Sequence, residues 1–376
     1  MMVSLRRYLM RYVKGNRRLC RSRRFGKATL LHLKHTTHLK TEKPRSWAMK
    51  YSLKNRINYW RRIFKVYLTK IPSYLNFWHE VPRVHENITP DRLGVYYMTF
   101  EDKAGYSGPR DKDGVILFEY HAQIGTQYNP VAIAQYGLGN YNLFLDSGDK
   151  NFLKEAKIHA RWLVENLEKS EKGILVWKHH FEWQYKELLP SGWYSALSQG
   201  SGISLLTRMY KETGDDKYIK AAKDAMSSMF IEMENGGVMH TDKSGNVWLE
   251  EYMVYPPTHI LNGFIWAIWG VWDYYLVTKD KQVLELFKKC METLKLNIDN
   301  YDTGTWSLYD LSKQAMKMVA SPFYHSLHIV QLKATYVLTG DKIFEDYADK
   351  FYEYQNSRWK RYGALVYKSV FKLLYF

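Results

Sequence analysis

Carboxylates, phenols and imidazoles gather in three stretches of this chain. The first is Glu250-Glu-Tyr-Met-Val-Tyr-Pro-Pro. The second holds Tyr301-Asp-Thr-Gly and Leu308-Tyr-Asp-Leu, and the third is Phe323-Tyr-His-Ser-Leu-His-Ile. A carboxyl group and a phenol can take and return a proton, so the clusters suit acid–base work. Glu250 and Glu251 are neighbours in sequence, not a carboxylate pair flanking a glycosidic bond. His325 and His328 stand three apart at a helix start, a spacing that can hold a metal. No third ligand pattern accompanies them, so the reading is packing or substrate hydrogen bonding, with no metal and no cofactor. With 31 tyrosines in the chain, any single one reads first as a core or rim aromatic. The clustering is what singles these out. Tyr301-Asp-Thr-Gly reads as a turn capped by Asp302, and Gly200 with Gly202 makes no phosphate-loop motif.

The elements that must position these residues follow an internal repeat. Ser147-Gly-Asp-Lys, Thr213-Gly-Asp-Asp, Thr278-Lys-Asp-Lys and Thr339-Gly-Asp-Lys recur, with their aspartates at 149, 215, 280 and 341. Each follows a helix-periodic apolar segment (132–145, 199–210, 262–277 and 328–338) and precedes another. Glycine tolerates the left-handed cap that ends one helix, and aspartate caps the next. The expected fold is mainly α: an incomplete (α/α) toroid of about four helical hairpins, preceded by a short mixed region with a few β-strands. A solenoid is the alternative. The opposite connections, 173–193, 236–255 and 301–324, are long and aromatic. They hold the clusters, as binding loops on a scaffold do. Gln135, Tyr136, Trp193, Tyr194 and Gln199 fall at helix starts on that side, where they suit sugar stacking and hydroxyl contacts, or core packing.

The formal net charge of +17 invites a nucleic-acid reading, and its distribution argues against one. Residues 1–70 carry 21 of the 55 bases and one of the 38 acids, Glu42, which leaves the other 306 residues near neutrality. The expected organisation is a basic arm over 1–70, a mixed connector with short strands over 71–128, and the toroid over 129–376. The arm reads either as a solvated tail or as a peripheral contact with an anionic membrane. No signal peptide is recognised. The longest apolar run, 260–272, is too short to span a bilayer. Cytoplasmic or membrane-peripheral placement is the expectation. Cys20 and Cys290 cannot form a disulfide framework.

Several segments, in order over about residues 95–355, resemble the D-glucuronyl C5-epimerase family. They are Tyr128-Asn-Pro-Val-Ala-Ile-Ala-Gln-Tyr-Gly-Leu, Gly192-Trp-Tyr-Ser-Ala-Leu-Ser-Gln-Gly, Glu250-Glu-Tyr, Leu261-Asn-Gly-Phe, Tyr301-Asp-Thr-Gly, Tyr309-Asp-Leu and Tyr324-His-Ser-Leu-His. The large N-terminal β region of animal members has no counterpart in residues 1–94. The resemblance implies conversion of D-glucuronate to L-iduronate within a heparosan-like acidic polysaccharide. It places acid–base groups at Glu251, Tyr252, Tyr309 and Tyr324, with Asn262 among the substrate contacts. Animal members have Arg directly after Tyr-Asp-Leu. Here Ser312 intervenes, and Lys313 is the candidate substitute. Inversion at C5 removes a proton α to a carboxylate and returns one on the opposite face, so two groups and charge-stabilising donors are needed. Glu251 or Tyr309 is assigned to one face and Tyr324 to the other, with Tyr252 as an orienting donor. A toroid-type polysaccharide lyase shares the first step, and a non-catalytic glycan-binding protein is the remaining alternative. Homodimerisation is a further partner expectation.

Overall fold

The computed structural model describes residues 77–120 and 124–375. The basic arm expected over 1–70 lies outside the described residues. Four helical hairpins run through the chain: α1 (Pro130–Ser147) with α2 (Lys150–Glu165), α3 (Ala196–Thr213) with α4 (Asp216–Met226), α5 (Leu261–Thr278) with α6 (Lys281–Asn297), and α7 (Pro322–Thr339) with α8 (Lys342–Asn356). A further helix, α9 (Arg358–Tyr375), packs on α8. The odd-numbered members α1, α3, α5 and α7 pack side by side as an inner row. They bury most of their surface, α5 nearly all of it. Members α2, α4, α6 and α8 bury one stripe each, such as Ala156, His159, Ala160 and Leu163 of α2. An apolar inner layer inside an amphipathic outer layer is the incomplete (α/α) toroid.

The repeated tetrapeptides do the same work at each short turn. The hydroxyls of Ser147, Thr213, Thr278 and Thr339 donate to the carbonyl four residues back, at 2.6–3.0 Å. Each also accepts the N–H of the following aspartate, at 3.2–3.3 Å. Gly148, Gly214 and Gly340 take φ of 69–75°, as the sequence predicts. Lys279 takes φ 56° in the remaining turn, where an L side chain pays for a conformation glycine adopts without strain. Asp149, Asp215 and Asp280 cap the next helix through their carboxylates. Asp341 makes no such cap and pairs with Lys295 at 3.3 Å.

The inner row is unusually close where α3 meets α5. A Cβ on Gly270 would stand 2.4 Å from the Gly200 carbonyl oxygen, and one on Gly200 would stand 2.6 Å from Ala267 Cα. Gly202 makes room for the Trp177 ring. These glycines serve backbone approach.

The short-turn end of the ring is plugged. Arg208 of α3 and Asp273 of α5, both with fully buried side chains, pair at 2.6 Å. Arg208 also donates to the Gly94 and Val95 carbonyls, and Tyr97 Oη donates to Asp273 at 2.6 Å. Asn142 of α1 accepts Tyr96 N–H and donates to the Met98 carbonyl. The segment 94–98 thus crosses the C-terminal ends of α1, α3 and α5 and satisfies their polar groups. Two-stranded antiparallel hairpins occupy the connections. β1 (Phe118–Tyr120) pairs with β2 (Gly125–Gln127), with Phe118 opposite Gln127. β3 (Glu168–Lys169) pairs with β4 (Leu175–Val176), and β5 (Trp183–Gln184) with β6 (Leu188–Leu189). β7 (Met239–Thr241) pairs with β8 (Val247–Leu249), with Met239 opposite Leu249. No described helix is long and apolar enough to cross a membrane.

Candidate active site

β8 delivers Glu250 and Glu251 to the open end of the ring. Successive residues of an extended chain point to opposite sides, so the two carboxylates part company. Glu250 is fully buried and accepts from the His259 backbone N–H at 3.0 Å and from His259 Nδ1. His259 stacks on Trp248 at 4.2 Å, and its carbonyl accepts from Tyr301 Oη at 2.6 Å. Glu250 therefore fixes the loop 250–259. Glu251 turns to the first turn of α5, where Asn262 Nδ2 donates to its carboxylate at 3.4 Å. A Cβ on Gly263 would lie 2.3 Å from Glu251 Oε2, so glycine is required for the carboxylate to sit there.

Three phenols join it. Tyr309 is held by its N–H to the Met318 carbonyl at 2.8 Å, and its own carbonyl accepts Leu261 N–H. Tyr324 stands in the first turn of α7, behind the N-cap Ser321 and Pro322. The Tyr309 and Tyr324 rings meet edge to face at 4.8 Å. Tyr252 lies 4.4 Å from Tyr185 and 5.7 Å from Trp193, which itself stacks flat on His179 at 3.7 Å. Ile260 and Ala320 pack beneath these rings.

Burial dominates the electrostatics. It pushes the Glu251 carboxyl up to about 8, with the charges of Glu250 and Asp310 adding to it against hydrogen bonds from Tyr252 and Asn262. Burial likewise pushes Tyr252, Tyr309 and Tyr324 up, with the Glu251 charge adding to each. At neutral pH the cluster presents a protonated carboxyl and neutral phenols. Of the four, Glu251 is the group that ionises nearest neutrality.

The structure brings together Glu251, Tyr252, Tyr309, Tyr324, Asn262 and Trp193 from the sequence expectations. Others it sends elsewhere. Tyr136 points at the outer layer, with its hydroxyl on Arg110 and Glu155 and its ring 4.4 Å from His159. Gln199 clamps the Trp177 backbone through both amide atoms. Tyr194 donates to the Gly236 carbonyl. Gln135 is buried in α1, its amide nitrogen without a hydrogen-bond partner among the described residues. His325 spends Nδ1 on Ser307 and Nε2 on the Phe351 carbonyl, with its ring stacked on Trp306 at 3.8 Å. His328 Nδ1 shares the same Ser307 hydroxyl at 3.0 Å. Both imidazoles are fully buried and held neutral by that burial, His325 down at about 3. The described residues hold no grouping of three or more His, Cys, Asp or Glu that could bind a metal. Helical spacing placed these residues at a helix start but could not say which neighbouring layer they face.

Sequence reasoning missed Tyr185, Lys186 and the part played by Asp310. Asp310 is fully buried; it accepts from Tyr185 Oη at 2.8 Å and from Ser312 Oγ at 2.5 Å, and it pairs with Lys186 at 3.3 Å. Lys313 is exposed. The cation paired with Asp310 is thus Lys186, from a different connection. Its only signal in sequence is a Tyr-Lys pair within the long aromatic connection 173–193.

Comparison with known proteins follows the same residues. Residues 170–353 match the family described as D-glucuronyl C5-epimerase C-terminus. The chain is 33% identical to the D-glucuronyl C5-epimerase of Caenorhabditis elegans over 210 residues, 52% of this chain, and it spans only 34% of that protein's length. It is 30% identical to an uncharacterized protein of Methanocaldococcus jannaschii over 257 residues, 64% of this chain and 80% of that one. Among solved structures, the cellobiose 2-epimerase of Spirochaeta thermophila superposes with a TM-score of 0.44 at 12% identity, covering 62% of this chain and 63% of that one. The unsaturated glucuronyl hydrolase of Bacillus sp. GL1 gives 0.42 at 15% identity, covering 60% and 61%.

Proposed function

The chain belongs to the D-glucuronyl C5-epimerase family through residues 170–353, and from that premise we propose that it is a carbohydrate epimerase. Its reaction on this reading is inversion of C5 in glucuronate residues of a heparosan-like polysaccharide. The observation that carries the reading is the meeting of Glu251, Tyr252, Tyr309 and Tyr324 at the open end of the ring, on elements far apart in sequence.

The chemistry follows from the groups present. A C5 hydrogen is α to a carboxylate and very weakly acidic, so abstraction needs a strong base and donors for the charge that spreads onto the carboxylate. Glu251, once ionised, takes the C5 proton. The electron pair moves into the sugar carboxylate, toward Asn262 and Lys186. Tyr324, kept neutral by burial, returns a proton to C5 on the other face. Exchange of Glu251 and Tyr324 with solvent resets the pair. Trp193 and Tyr185, beside Tyr252, offer aromatic faces to the sugar.

Incubation with heparosan in D2O tests the proposal. Deuterium at C5 with intact chains is the expected outcome. New unsaturated ends absorbing in the ultraviolet would identify a lyase, because elimination follows the same abstraction. Full activity in Tyr324→Phe would remove Tyr324 from the reaction.

A further inference from the structure

Helix α2 and the start of α4, both in the outer layer, enclose a groove of about 380 Å³. Lys150, Lys154, Lys157 and Arg161 of α2 and Lys217 of α4 line it, and no acidic residue does. Leu153, Ile158 and Tyr218 supply its apolar surface. The α2 members are spaced three or four apart along one face. That face is not the one α2 buries, which is Ala156, His159, Ala160 and Leu163. Lys150, Lys154, Arg161 and Lys217 are exposed, and Lys157 is half-buried. Four of the five cations precede residue 170, where the family match begins.

These charges are poorly neutralised within the protein. Arg161 reaches Glu165 at 3.9 Å, and Lys217 pairs with Asp215 at 2.7 Å, both at the surface. Lys150, Lys154 and Lys157 make no ion pair among the described residues. Like charges four apart on one helix, Lys150 with Lys154 and Lys157 with Arg161, work against the helix that carries them. The chain beyond residue 70 is near neutrality as a whole, so this groove is a local excess of positive charge that an external anion relieves.

The shape selects the anion. Lys150 and Arg161 stand eleven residues apart, about 16 Å along α2 at 1.5 Å per residue. A single small anion cannot meet all five cations, whereas a chain with carboxylates at intervals can. A bilayer is flat, and the groove lining has no exposed apolar side chain to insert into one. Single-stranded nucleic acid needs open aromatic faces for its bases. The one aromatic ring in the lining, Tyr218, is buried, with Lys217 Nζ 4.9 Å from its centre.

We propose that the groove between α2 and α4 is a second binding site for a carboxylated polysaccharide, separate from the Glu251 cluster and holding a stretch of the same polymer away from the reacting residue. The identity of the polymer rests on the reaction proposed above.

The test uses the full chain, and its readout is local to the groove because residues 1–70 can hold a polyanion by themselves. Lysines are acetylated by a limiting amine-reactive reagent with and without heparosan oligosaccharides, and each site is read by mass spectrometry. Acetylation of Lys150, Lys154, Lys157 and Lys217 is expected to slow when the oligosaccharide is present, and the protection should weaken as salt rises. Lys281 and Lys289, exposed on α6, should react at an unchanged rate. Lys150→Glu/Lys154→Glu alters two exposed positions in the first turns of α2, where the helix dipole favours acids, so its melting temperature should hold. It is expected to need about tenfold more oligosaccharide to protect Lys157 and Lys217. Protection is read without turnover, so it stands or falls apart from deuterium incorporation at C5. Unprotected groove lysines on chain that retains the oligosaccharide would overturn the proposal in favour of residues 1–70. Equal protection by uncharged dextran would refute the charge argument. Protection by polyglutamate or single-stranded DNA at lower concentration than by heparosan would rule out a sugar chain as the occupant.

Discussion

The two ends of the ring are built from the same kinds of residue and do opposite things. At the short-turn end every buried charge has its partner. Arg208 is held by Asp273 and three carbonyls, Asp273 also accepts from Tyr97, and the segment 94–98 seals the helix ends. At the open end the charges are left poised. Glu251 is buried with only the neutral donors Tyr252 and Asn262 beside it, the latter at 3.4 Å, and that burial raises its carboxyl to about 8. The contrast teaches that burial alone does not decide the role of an ionisable side chain. A buried group with a complete set of partners is structural; one whose partners are incomplete can change protonation during a reaction.

Substitutions at each end should separate these roles. The largest effect is expected for Glu251→Gln, which keeps the shape and removes the base. Activity should fall about 10²–10⁴-fold with the folded state intact, measured by C5 deuterium incorporation against thermal unfolding. Asp273→Ala should do the reverse. Breaking the buried pair strands the Arg208 charge and should cost about 3–5 kcal/mol in denaturant unfolding, while activity per folded molecule is retained. If both variants lose activity and stability together, the division between the ends is wrong.

The pH dependence sharpens the comparison. Glu251 has a folded-state value of about 8 against an ordinary 4.5, so the folded protein keeps a proton that the unfolded chain releases. Stability should therefore fall as pH rises from about 4.5 to 8, and Glu251→Gln should flatten that slope. Activity should rise over the upper part of the same window, with its limb near pH 8, as the base form appears. A flat rate profile between pH 6 and 9 would exclude Glu251 as the base. The smallest effect belongs to the short turns: Lys279→Gly relieves the left-handed lysine and should stabilise by about 1 kcal/mol without changing the rate.

Much of the scaffold was legible because its signals are local. Ser/Thr-Gly-Asp specifies a hydroxyl bridge, a left-handed cap and an N-cap within four residues, and it sets hairpin length through its spacing. The catalytic candidates Glu251, Tyr252, Tyr309 and Tyr324 were legible as clusters and through the family resemblance. For the two histidines, packing is the alternative that the structure shows. His325 and His328 sit at the helix start as expected, yet both turn to Ser307 inside the protein, because α7 presents that face to the Trp306 loop and α8. Lys186 was missed because nothing local couples it to Asp310, 124 positions away.

The sequence by itself determined the hairpins, their caps, the end of the ring that holds the long connections, and the residue types available for proton transfer. These depend on backbone preferences and side-chain chemistry within a few residues. Only the tertiary structure decided which of two adjacent glutamates turns to the phenols, which cation pairs with Asp310, and which helix-start residues join the cluster. Those outcomes depend on burial and on partners brought together from distant connections, and burial is a property of the packed ring rather than of any segment in it.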